Sequence, residues 1–127
     1  MRFMVLVKGC ETMGPPPQAF LDAVGKAGEE AMRAGKLIET GGFFPSATGA
    51  RVQLRKGALN VTDGPFTESK EVIGGWGILE AESKEEAVEG VVDLLKLHKQ
   101  YWPGWEGEAE VRQMFTQEAP VGARAER

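Results

Sequence analysis

Two residue types that build many catalytic and metal centres are nearly missing from this chain. It has one cysteine, Cys10, and one histidine, His98. An intrachain disulfide is therefore excluded, and no metal site of the Cys/His type can be assembled within one copy. Positive charge is in the minority, with 15 Lys and Arg against 19 Asp and Glu and a formal net charge of −4. No stripe of Lys and Arg is present, which argues against a nucleic-acid partner. Long apolar runs are lacking as well. The run within Met1–Lys8 is far shorter than a signal-peptide core with its cleavage site. Nothing approaches the roughly 20 apolar residues of a membrane span. A reduced, cytoplasmic setting with no membrane contact is the expectation.

Motifs for cofactors and activated nucleophiles are also absent. No Gly-x-Gly-x-x-Gly stands at a strand-to-helix turn, and no serine sits in a Gly-x-Ser-x-Gly elbow. Carboxylate pairs such as Glu29-Glu30 and Glu85-Glu86 fall on helical stretches and read as solvent faces. No cofactor and no metal are expected.

What remains is an ordinary globular composition, 42% hydrophobic and 27% charged over 127 residues. That is enough for one domain with one core. Residues 2 to 8 read as a strand with apolar residues on both faces, Phe3, Val5 and Val7 against Met4 and Leu6. Gly14-Pro15-Pro16-Pro17 breaks the strand and leads into a helix from Gln18 to Ala34. Its apolar row is Phe20, Val24, Ala27 and Ala31, flanked by Leu21, Gly28 and Met32, and Gly35 stops it. Lys36 to Phe44 reads as a second strand. Arg51–Arg55 and Leu59–Thr62 alternate around Lys56-Gly57-Ala58, a hairpin with one wet face. Val72 to Ala81 is the next strand, with glycines around Trp76.

Ser83 and Glu86 form a capping box that opens a helix to about Lys99, with Val88, Val91, Val92 and Leu95 as its apolar row. An aromatic loop at 101–107 and a strand from Ala109 to Phe115 follow. Residues 1–116 are expected to form the domain and 117–127 a loose tail.

Strand, helix, strand, hairpin, strand, helix, strand is the resulting order. Right-handed crossovers put both helices on one sheet face. The class is therefore α+β, a ferredoxin-like split βαβ plan with an added β-hairpin. The other sheet face stays bare although it is apolar. A homodimer packed through the sheet faces is expected.

The most distinctive stretch is Asp63-Gly64-Pro65-Phe66 followed by Thr67-Glu68-Ser69-Lys70-Glu71, then Gly74-Gly75-Trp76. With the opening Met1–Val7 and the late Glu110-Val111-Arg112, it resembles the YCII-related family in its DGPF-domain branch, across residues 1 to 116. The resemblance implies a dimeric α+β barrel of ferredoxin-like halves. Some YCII relatives are small-molecule lyases that use a His–Asp pair. Some DGPF members are encoded beside, or fused to, sigma factors of the extracytoplasmic type. The chain departs from the catalytic relatives at one point: their histidine segment before the aspartate has no counterpart here. Asp63 carries over as the motif aspartate, and the dyad does not.

Two site residues are candidates for chemistry. Asp63 could act as a general base or hold a polar ligand, or its oxygens could accept N–H bonds from the following turn. His98 could act as an acid/base near neutral pH, or relieve the dipole at its helix C-terminus. Gly64, Lys70, Glu71 and Trp76 are the substrate-binding candidates. Trp76 would line a pocket closed by the 63–71 loop, and Lys70 would balance charge. The alternative for Lys70 and Glu71 is a solvated turn. Tyr101, Trp102 and Trp105 could line a slot for a planar ligand or pin a loop. Two functions follow. One is a small-molecule enzyme of lyase or isomerase type using acid/base chemistry without a metal. The other is a non-catalytic dimeric binding or regulatory module, such as an accessory to a sigma factor.

Overall fold

A computed structural model describes residues 1–66 and 72–115. The elements are β1 (Arg2–Gly9), α1 (Gln18–Arg33), β2 (Leu37–Gly42), β3 (Ala50–Arg55), β4 (Ala58–Asp63), β5 (Val72–Glu80), α2 (Lys84–Tyr101) and β6 (Gly107–Met114). Single 3-10 turns at Glu11–Met13 and Ser46–Thr48 join them. The expected tail at 117–127 lies outside the described residues, as do Lys70 and Glu71.

Four strands form one antiparallel sheet in the order β2-β5-β1-β6, and β3 pairs with β4 as a separate hairpin. This is the ferredoxin-like α+β plan with an inserted hairpin. Strand alternation sorts the side chains. Phe3 pairs with Leu79 and Val5 with Val111, on the face that meets α2. There Phe3, Ala81 and Ala87 form the core, with Leu79 and Val111 packed against it. Phe3 is 1% exposed. Burial of such a ring contributes roughly 2–3 kcal/mol, so this layer is the main apolar anchor of the sheet.

Helix α1 packs along α2 and β2 on the same side. It ends as its sequence demands. Gly35 takes a positive φ of 73°, Gly35 N–H donates to Met32 O, and Lys36 N–H donates to Ala31 O. This paired closure satisfies the last carbonyls of the helix. At the start of α2 the Ser83 hydroxyl accepts the Glu86 N–H at 3.1 Å.

Three expectations need correction. The buried row of α2 is Ala87, Val91 and His98, while Val88 and Val92 are 40% and 47% exposed. The apolar stripe is rotated by about one residue at its start, where Ala87 packs with Phe3 and Ala81 in the core. In α1, Phe20 is buried, but Ala27, Leu21 and Met32 face solvent. The hairpin turn has two residues, Lys56 and Gly57, both with positive φ, so Ala58 belongs to the strand.

The second sheet face carries Met4 opposite Ile78 and Leu6 opposite Trp76. All four are half-buried, and neither helix packs on this face. Its β6 edge is charged. Lys8 Nζ lies 2.6 Å from Glu110 and 3.8 Å from Glu108, and Arg112 lies 2.9 Å from Glu110. The bonds from Lys8 and then Arg112 hold the Glu110 carboxyl below its usual range. No helix among the described residues is long and apolar enough to cross a membrane.

Candidate functional site

The motif turn is built by contacts that converge on Ser46. Gly64 N–H donates to Gly49 O at 2.8 Å. The peptide bond from Gly64 to Pro65 is cis. Phe66 N–H donates to Ser46 Oγ at 3.0 Å. Ser46 in turn donates its N–H to Glu11 Oε1 at 2.5 Å and its hydroxyl to Glu11 Oε2 at 2.7 Å. Ser46 is 6% exposed, so these bonds satisfy polar groups that water does not reach. Gly64 is required by contact. A Cβ there would overlap the carbonyl group of Ser46. Arg51 stacks its guanidinium 3.9 Å from the centre of the Phe66 ring.

Asp63 is the last residue of β4. It pairs with Ala50, and it is exposed. The expected capping of the turn by its carboxylate is replaced. The N–H groups of Gly64 and Phe66 go to Gly49 and Ser46 instead, and Pro65 has none to offer. Trp76 sits on the second sheet face with its indole across β2 at Gly41.

His98 lies on another element, among rings. Its ring centroid is 4.5 Å from Phe20 and 4.4 Å from Trp105, and it stacks parallel to Trp102 at 6.5 Å. It is 5% exposed. Burial lowers its pKa, with the Leu94 carbonyl acting weakly in the opposite direction. This goes against the reading of His98 as an imidazolium that relieves the helix dipole. The apolar surroundings disfavour the cation. Nδ1 is 2.9 Å from Leu94 O. A carbonyl only accepts, so in the neutral ring Nδ1 carries the proton and Nε2 keeps a lone pair.

An open cleft of about 470 Å³ lies beside this cluster. Leu95, Lys99, Trp102, Trp105 and Glu106 supply its walls and rim. Trp105 can lie flat there because β1 and β6 meet at a pair of glycines. Cβ atoms at Gly9 and Gly107 would both press into its indole. The cleft therefore has aromatic walls, a cation and a carboxylate, and the buried His98 imidazole packs behind it against both indoles. Among the described residues, no group of three or more His, Cys, Asp and Glu side chains is placed to hold a metal ion.

The structure thus separates the sequence candidates. His98, Trp102 and Trp105 come together, and Tyr101 is not part of the cleft wall. Asp63 and Gly64 belong to the Ser46 turn, and Trp76 to the open sheet face. Sequence reasoning missed Glu11 and Ser46. Pro45-Ser46 at the head of a turn was the available signal for Ser46. Glu11 lies 35 residues away from it, and no local pattern marks that pairing.

The fold agrees with the comparison to known families. The model of the YCII-related domain matches residues 1–94, and the chain belongs to that family. No curated protein matches it.

Proposed function

We propose that this YCII-related protein is a homodimeric small-molecule enzyme of lyase or isomerase type, working by acid/base chemistry without a metal. Its substrate occupies the cleft at the C-terminal end of α2. One observation carries this reading. His98 is held neutral, with Nδ1 tied to Leu94, against the two tryptophans that wall the cleft. An imidazole that stays unprotonated at neutral pH is available to take a proton. Trp102 and Trp105 suit a planar substrate, and Lys99 suits an acidic one. The dimer reading is supported by the apolar field of Met4, Leu6, Trp76 and Ile78, which no helix covers.

A second reading is a non-catalytic binding or regulatory module, such as a sigma-factor accessory. It is favoured by the motif turn, where Gly64 and Phe66 are occupied in packing against Ser46 and Arg51. The two readings separate by experiment. A panel of small aromatic carboxylates and 2-oxo acids is titrated into the full chain while the indole N–H signals of Trp102 and Trp105 are followed by NMR. The enzyme reading expects shifts at both indoles. It also expects exchange of the carbon-bound proton of a bound 2-oxo acid into heavy water, lost in His98→Gln. Binding without exchange supports the module. Unmoved indoles across the panel overturn the cleft.

A further inference from the structure

The β3–β4 hairpin is inside out. Val52 pairs with Val61 and Leu54 with Leu59, so these four side chains form one apolar face. They are 68%, 68%, 68% and 74% exposed for Val52, Val61, Leu54 and Leu59. The half-buried positions of β3 are the polar ones, Arg51 and Gln53. Apart from pairing with each other, β3 and β4 make no substantial packing contact with the other helices and strands of the described chain. An amphipathic ribbon normally turns its apolar side inward. A free two-stranded hairpin of this kind is marginal in water. This one offers its apolar side outward.

We infer that the hairpin is an intersubunit arm, whose Val52–Leu54–Leu59–Val61 face is buried against the body of a second copy of this chain. This rests on the homodimer reading and names the part of the chain that clasps the partner. Area supports the second copy as occupant. With Phe43 and Phe44, 55% and 85% exposed on the segment leading into the arm, the exposed apolar side chains amount to a surface on the order of the ~800 Å² that each partner gives a standard interface.

Charge supports it independently. Arg51, Arg55 and Lys56 against Asp63 give the arm a net charge of +2, which leaves −6 on the rest of the chain. Two arms repel each other, whereas an arm and a partner's body attract. Docking also bears on the motif turn. Ala50 and Asp63 close the base of the arm, and Arg51 stacks on Phe66. A partner that holds the arm therefore holds the Asp63–Phe66 turn in place.

The test uses the full chain. Sedimentation equilibrium is run on the wild type, on the arm variant Leu54→Lys/Leu59→Lys, and on the sheet-face variant Leu6→Lys. Hydroxyl-radical footprinting of the wild type is run from dilute to concentrated protein. The arm reading expects a wild-type dimer. It expects dissociation about a hundredfold stronger in the arm variant, with unchanged circular dichroism. It also expects Leu54 and Leu59 to become protected from oxidation as the dimer forms. A wild-type monomer throughout the micromolar range overturns both the arm and the homodimer. A wild-type dimer lost only in Leu6→Lys, with Leu54 and Leu59 equally oxidised at every concentration, overturns the arm and leaves the sheet-face dimer standing. If the arm variant fails to fold, the wild-type footprint alone decides.

Discussion

The hydroxyl of Ser46 accepts the N–H of Phe66 at 3.0 Å and donates to Oε2 of Glu11 at 2.7 Å. One buried oxygen thus joins the segment after β1, the turn before β3 and the motif after β4. Removing it leaves a partly buried N–H and a carboxylate oxygen without that partner. Ser46→Ala is expected to destabilise the protein by roughly 1–3 kcal/mol. Urea unfolding checks this as a lower midpoint with an unchanged slope.

Gly64 is held against the Ser46 carbonyl group, and the neighbouring atoms are backbone. Backbone yields far less readily than a side chain. Gly64→Ala is expected to cost about 3 kcal/mol or more, among the large single-residue effects. Gly25, inside α1 with open space around it, is the control. Gly25→Ala is expected to stabilise by up to about 1 kcal/mol through helix propensity. Thermal melts of the two variants should move in opposite directions.

The pH response of His98 follows from its burial. Its folded pKa lies below the ordinary value of 6.5. The unfolded chain therefore binds this proton first as pH falls. The contribution of the neutral ring is fully present above about pH 6.5 and declines as pH drops below that value towards the folded pKa. His98→Phe lacks the titrating group and should flatten stability against pH in this acidic window. Denaturant midpoints measured from neutral to mildly acidic pH give the comparison. An NMR titration of the His98 ring in the wild type should show its midpoint below that of a free histidine.

Much of the architecture was legible in residues that act locally. Ser83 with Glu86 marked the start of α2, Gly35 marked the stop of α1, and alternation in Phe3–Val7 marked a strand with apolar residues on both faces. The separate strands assembled as expected because connection handedness leaves few choices. The candidate site was less legible. Periodicity placed an apolar stripe on α2 but missed its phase, since Val88 and Ala87 are neighbours and only packing in the core selects between them. The burial of His98 was not legible because its neighbours in space, Phe20 and Trp105, are remote or irregular in sequence.

Alternation, capping and turn chemistry are interactions within a few residues. They determined the element order, the hairpin and the bare apolar sheet face from the chain alone. The contacts that build the motif turn and the aromatic cluster span tens of residues: Glu11 on Ser46, Ser46 on Phe66, Phe20 on His98. Only the tertiary structure decided those. Which way the hairpin turns its apolar face depends on what the finished body leaves room for, and no local pattern carries that information.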